Sequence, residues 1–138
     1  TCMAFRGYIS SRRFGGQRVP QHIQNLVIRD YCHRNSLQYL LSATELAMPN
    51  SFLMLAQLQD DIEKLQGIVF YSISQLPQEN KQREQLFRRV ISAEKSVHFS
   101  VEGLCVTDWG SAQRVEQILQ VQSVIPRCLS TQDLRRVL

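Results

Sequence analysis

"GIVFYS", Gly67 to Ser72, runs apolar side chain after apolar side chain without the polar alternation of a half-exposed strand. A short unbroken run of this kind is buried on both faces, as in a parallel sheet covered by helices. The flanking segments fit that reading. Upstream, "SFLMLAQLQDDIEKLQ" (51–66) places Phe52, Leu55, Leu58, Ile62 and Leu65 on one helical stripe. Asn50 stands at its N-cap, and Gly67 stands where a left-handed C-cap is wanted. Downstream, "ENKQREQLFRRVISAEK" (79–95) turns Leu86, Phe87, Val90 and Ile91 inward as a helix, and "SVHFSV" (96–101) follows as another strand.

The same alternation extends to the amino end. "MAFRGYIS" (3–10) is short, aromatic and β-branched, which predicts a strand. Pro20 then opens "PQHIQNLVIRDYCHRN", whose Ile23, Leu26, Val27 and Tyr31 form one helical face. "QYLLSA" (38–43) is expected to be a second buried strand. The order β-α-β-α-β-α-β, with connections too long for hairpins, implies right-handed crossovers. The expected fold is therefore α/β, a three-layer sandwich around a mainly parallel four-stranded sheet of Rossmann-like type. Beyond Leu104, "SAQRVEQILQVQ" (111–122) is helical in pattern. "STQDLRRVL" (130–138) opens with Ser130 and Asp133 spaced like a variant capping box. The chain is expected to form a single domain over 1–138, with a core over 3–103 and a helical tail over 104–138.

Composition bounds the function. The chain has 138 residues, 43% apolar and 20% charged, normal for a folded domain with one real core. No apolar run approaches a membrane span and no signal-like segment is seen, so a cytoplasmic protein without a membrane partner is expected. The net charge of +4 is mild, and the arginine pairs 12–13, 88–89 and 135–136 are scattered among acidic residues. A dedicated nucleic-acid binder shows a denser stripe, so nucleic acid is not an expected partner. The four cysteines lack C-x-x-C spacing and the three histidines form no H-x-x-x-H pair. No metal and no cofactor are expected, and the thiols read as reduced.

In open α/β sheets, ligands sit beyond the carboxyl ends of the strands near the point where strand order reverses. Polar residues gather at these ends: Ser10, Ser11, Arg12 and Arg13 after the first strand, and Ser42, Thr44 and Glu45 after the second. Tyr71 and Ser72 follow the third, and Glu102 the fourth. Gly15 and Gly16 would let backbone approach a ligand, and the helix opening at Pro20 favours an anion. Arg12 or Arg13 could add a bidentate contact to phosphate or carboxylate. The competing reading is a solvated basic turn, since neither G-x-G-x-x-G nor G-x-x-x-x-G-K-[ST] is present. Glu45 is the candidate acid or base, with an ordinary loop carboxylate as its alternative. Tyr71 and Ser10 complete the candidate catalytic set, although a serine nucleophile needs a base and no His-Asp pair is evident. His98 reads as a satisfied core histidine, Cys32 and His33 as structural, and Arg88-Arg89 as a solvated face.

Two family resemblances attach to these residues. "GYISSRRF" (7–14), followed by a glutamine-containing helix, resembles the catalytic domain of resolvase-type serine recombinases. That family carries Tyr-x-Arg-Val-Ser-Thr on its first strand and Asp-Arg at the end of a later one. Here Ile9 and Ser10 follow Tyr8, and the third strand ends in "YSISQLP" (71–77) without Asp-Arg. The resemblance implies the fold and does not bring the strand-transfer chemistry with it. "RGYISSRRFGGQRVPQHIQNLVIRDYC", "YLLSATELAMPNSFLML" and "GIVFYSISQLP" are similar to the sporadic carbohydrate cluster proteins of bacterial glycan-biosynthesis loci. That resemblance implies work on a sugar, nucleotide sugar or glycan precursor; with nothing suggesting a redox cofactor or metal, the leading reading is a phosphorylated sugar or nucleotide sugar, handled first as isomerisation or epimerisation. Ser10 to Arg13, Gly15, Gly16, Ser42, Thr44 and Ser72 would surround the ligand, with Glu45 as base. The alternatives are a non-enzymatic module that binds a glycan-cluster enzyme, and a resolvase-related nucleic-acid-processing domain. Homo-oligomerisation is compatible with each.

Overall fold

A computed structural model describes residues 4–11, 18–45 and 52–128, with side chains through residue 122. Arg12, Arg13, Gly15, Gly16, the Asn50 cap and the helix expected over 130–138 lie outside the described residues. Five strands form one sheet: β1 (Phe5–Ser10), β2 (Tyr39–Glu45), β3 (Gly67–Phe70), β4 (Ser96–Phe99) and β5 (Leu104–Val106). Among the described residues, four α-helices accompany them: α1 (Gln21–Arg34), α2 (Leu53–Asp60), α3 (Asn80–Ser92) and α4 (Trp109–Cys128). The strand order is β2-β1-β3-β4-β5. The first four strands are parallel and β5 runs antiparallel to β4.

The expected α/β class and mainly parallel sheet are found, but the sheet has five strands, not four. Leu104–Val106, expected to begin the tail, forms β5. The chain reverses because Gly103 adopts φ +67 and its N–H donates to the Phe99 carbonyl, a conformation that suits glycine. Asp108 then starts α4, its Oδ1 accepting the Ser111 N–H at 2.8 Å while Ser111 Oγ accepts the Thr107 N–H at 3.0 Å.

Two apolar layers lie on opposite faces of the sheet. On one, Tyr8, Ile68, Phe70, Val97, Phe99 and Val106 pack against Leu55 and Leu58 of α2, Leu86, Phe87 and Val90 of α3, and Ala112 and Val115 of α4. On the other, Phe5, Ile9 and Val69 pack against Ile28, Tyr31 and Cys32 of α1. Burial pushes the Cys32 thiol up to about 11, the state of a structural cysteine.

Three local expectations are corrected. Gly67 is no helix C-cap but the first residue of β3. A Cβ there would run into the Ser96 carbonyl and lie 2.6 Å from the Phe5 ring, so close strand packing requires the glycine. "QYLLSA" is not a buried strand: β2 is an edge, with Leu40 55% and Leu41 62% exposed. The face assigned to α1 is also rotated. Leu26 is 58% exposed, while Gln24 is fully buried, because its amide serves the end of β1.

Candidate functional site

The chain departs from β1 to β2 on one side and later returns to β3 on the other, so strand order reverses at the carboxyl ends of β1 and β3. This is where an open α/β sheet offers its ligand crevice. The register sets Ser10 beside Glu45, and Tyr8 beside both Ala43 and Phe70. The ends of β1, β2 and β3 therefore meet, as their sequences suggest.

Two buried glutamines hold this junction together. Gln24 Oε1 accepts the Ser10 N–H at 3.0 Å, while its Nε2 donates to the carbonyls of Ser10 at 2.7 Å and Val19 at 2.8 Å. Gln75 Nε2 donates to Gln24 Oε1 at 2.8 Å, and Gln75 Oε1 accepts the N–H groups of Tyr71 at 3.0 Å and Ser72 at 3.4 Å. Each amide satisfies backbone that leaves the ladder at a strand end, where an unpaired buried group would be costly. Sequence reasoning missed both residues because a polar side chain breaks the apolar stripe used to orient a helix. The signal available was a glutamine one turn into the helix after a strand ending in serines.

Ser10 is 0% exposed, and its Oγ has no hydrogen-bond partner among the described residues. Ser11 is partly exposed, and its Oγ donates to the Glu45 carbonyl at 3.4 Å. Ser11, Arg18, Val19, Pro20 and Gln21 line a hollow of about 350 Å³ at the amino end of α1. The first turn of α1 holds no acidic residue, and its N-cap residue, Pro20, makes no side-chain cap hydrogen bond. Its outward amides and dipole, with the Arg18 guanidinium, make a setting that favours an anion.

Other expected site residues are occupied elsewhere. Glu45 is 1% exposed, and its carboxylate accepts the Met54 N–H at 2.9 Å and the Leu55 N–H at 3.2 Å. It thereby caps α2, a structural use of a carboxylate expected to be an acid or base. Ser42 lies opposite Gly7 in mid-strand, and its hydroxyl donates to Asn25 Oδ1 at 2.6 Å, which removes it from the strand-end cluster. Thr44 is exposed on the edge strand. Tyr71 packs against the α1-side layer. Ser72 Oγ donates to Glu102 Oε2 at 2.8 Å and accepts the Ser74 N–H at 3.1 Å, while Ile73 N–H donates to Glu102 Oε1 at 3.1 Å. Glu102 thus locks the turn after β3 to the turn after β4. No three His, Cys, Asp or Glu side chains converge for a metal among the described residues. No described helix is long and apolar enough to cross a membrane.

No family model matches the chain, and no curated protein matches it. Solved structures do. The N-terminal catalytic domain of TP901-1 integrase superposes with a TM-score of 0.58 at 12% identity, over 86% of this chain and 94% of that one. A resolvase family site-specific recombinase from Streptococcus pneumoniae gives 0.61 at 7% identity, over 86% of this chain and 88% of that one. The protein therefore has the fold of resolvase-type recombinase catalytic domains. These neighbours overturn the expectation of a glycan-biosynthesis protein with a sugar-phosphate partner, and with it the exclusion of nucleic acid. The motifs behind the carbohydrate resemblance coincide with the carboxyl ends of β1, β2 and β3, where open α/β sheets place ligands of many kinds.

Proposed function

We propose that this chain is a nucleic-acid-processing domain that engages the phosphate backbone at the carboxyl edge of β1. The observation that carries this reading is the hollow beside the carboxyl end of β1, lined by Ser11, Arg18 and the start of α1, in a fold shared with recombinases over 86% of the chain. Phosphate oxygens suit helix N-terminal amides and guanidinium groups, which fix orientation without reading sequence. Arg12 and Arg13 follow Ser11 directly and are assigned to the same phosphates. The Gln24–Gln75 pair holds the strand end that carries Ser10 and Ser11. A mild net charge of +4 is adequate for a local contact of this kind.

A second reading adds chemistry. Ser10 Oγ, the buried hydroxyl lacking a partner among the described residues, is the nucleophile for a phosphodiester, favoured by its place at the reversal point. The attacking oxygen would lose its proton as the O–P bond forms, and the departing nucleoside oxygen would leave protonated.

The test is a fluorescence-anisotropy titration with a short DNA duplex across a salt series, for the native chain and Arg12→Ala/Arg13→Ala. Binding that weakens with salt, and a log–log slope reduced by about 2 in the double variant, supports the reading. Salt-independent binding, or none, rejects it. The Ser10 reading requires a protein–DNA adduct on a denaturing gel that Ser10→Ala abolishes while retaining affinity.

A further inference from the structure

A second cluster of reactive side chains lies in the body of the sheet, away from the strand-end site. His98 and Cys105 are cross-strand partners on β4 and β5, on the face that carries α1. His98 Nδ1 shares a hydrogen bond of 2.8 Å with the Tyr31 hydroxyl. Its Nε2 lies 3.2 Å from Ser96 Oγ and 3.7 Å from Cys105 Sγ. The Phe5 ring meets the imidazole edge-on, with centroids 5.2 Å apart. Cys105 is exposed, whereas His98 is partly buried behind it. An accessible thiol, a base within hydrogen-bond reach and a third group that orients the base form the arrangement of an assisted nucleophile.

We propose that Cys105, His98 and Tyr31 form a thiol-exchange site at which Cys105 Sγ attacks the disulfide of a small oxidised thiol. With Nδ1–H donating to the Tyr31 oxygen, Nε2 is the acceptor and faces the thiol. The Cys105 S–H bond breaks and its proton passes to Nε2 as Sγ bonds to one sulfur of the incoming disulfide. The old S–S bond breaks, and its electron pair leaves with the second sulfur. That sulfur takes the proton from His98 and departs as a thiol. Cys105 is oxidised to a mixed disulfide and the departing sulfur is reduced, so the incoming disulfide is the whole oxidant.

The surroundings dictate base assistance rather than a stored thiolate. The groups facing the pair are Tyr31 from α1, Phe5 from β1, Ser96 from β4 and Asp108 before α4, while Cys32 and Arg34 act on Tyr31. Desolvation first, and then the Asp108 carboxylate, hold the Cys105 thiol above its ordinary value. Burial holds His98 below its ordinary value, so the imidazole is neutral and able to accept a proton at pH 7. Buried Cys32 does not compete.

The experiment treats the full chain with oxidised glutathione from pH 6 to pH 8, following the rate by mass spectrometry with peptide mapping. Cys105 is expected to react before the other cysteines, with a rate nearly flat with pH around neutrality. In His98→Gln the rate should fall about tenfold at pH 7 and climb roughly tenfold per pH unit, tracking the thiolate fraction alone. Tyr31→Phe keeps the imidazole but frees it, and should slow the reaction severalfold while Cys32 stays protected, the sign of an intact fold. First modification at another cysteine, or equal rates and pH slopes in both variants and the native chain, overturns the proposal.

Discussion

Gln75 Nε2 donates to Gln24 Oε1 at 2.8 Å, joining side chains separated by 51 positions and fully enclosed at the ends of β1 and β3. This bond links the α1 start to the turn after β3, so the site is held from both sides of the strand-order reversal. Gln24→Leu would strand the Ser10 N–H, the Ser10 and Val19 carbonyls and the Gln75 amide. A loss of about 3 kcal/mol is expected from buried groups left unpaired, read as a lower urea midpoint at unchanged slope. A double-mutant cycle with Gln75→Leu should show coupling of about 1 kcal/mol or more. Additive losses would contradict the linkage.

Glu45 is a helix cap in this structure, so its replacement should be felt in stability. Glu45→Ala is expected to cost about 1–2 kcal/mol through the lost cap on Met54 and Leu55. Glu45→Gln, which keeps an acceptor oxygen, should cost less. A substitution that leaves the unfolding midpoint unchanged would remove the capping account.

Helices α1 and α3 both end on a left-handed residue that is not glycine, Ser36 at φ 56 and Glu94 at φ 59. In each, the following N–H closes back on the last turn, Leu37 to Cys32 at 2.8 Å and Lys95 to Val90 at 3.0 Å. Relieving the Cβ clash with Glu94→Gly should stabilise the fold by about 1 kcal/mol, measured as a raised denaturation midpoint. Destabilisation would show that the side chain contributes more than the strain it causes.

Arg83 joins α3 to α4. Its Nε and one terminal nitrogen meet Glu116 at 2.7 and 2.8 Å, while the other terminal nitrogen donates to the carbonyls of Pro77 and Gln78. The pair is largely shielded, with side-chain exposures of 13% and 24%, so it escapes most of the screening that makes surface pairs weak. Arg83→Lys loses the planar fork and should cost about 1–2 kcal/mol, detectable as lost amide protection in α4. The exposed pair Arg88–Glu84 should tolerate alanine with little change.

His98 gives stability a pH dependence. Its folded-state value lies below the ordinary 6.5 because burial opposes the charged ring. Well above 6.5 both states are neutral and the contribution is intact. As pH falls from there toward the lowered value, the unfolded chain takes up the proton first and stability drops. The difference in urea midpoint between pH 7.5 and pH 5.5 should therefore shrink in His98→Gln. An unchanged difference would place that titration elsewhere.

The fold was legible wherever one apolar period dominated. The uninterrupted "GIVFYS" announced a covered strand, and the Leu55–Leu58 and Leu86–Val90 stripes faced the core as read. Edges were not legible: Leu40 and Leu41 look like core but lie on an outer strand, because strand order is set by tertiary packing. Gly67 was misplaced since a cap and a close strand approach both select glycine. The strand-end cluster was visible at Ser10, Ser11 and Ser72, but its supports, Gln24, Gln75 and Glu102, were not all named for that role. Such supports act through hydrogen bonds to backbone, which leave no periodic trace. The carbohydrate assignment failed because motif similarity at strand ends reports topology before ligand.

The most direct measurement is an amide chemical-shift titration of the labelled chain with a short DNA duplex. Perturbations are expected to concentrate at Ser10, Ser11 and residues 18–24, around the hollow at the start of α1. Perturbations confined to β5 and α4, or none at DNA concentrations that saturate anisotropy, would contradict that placement.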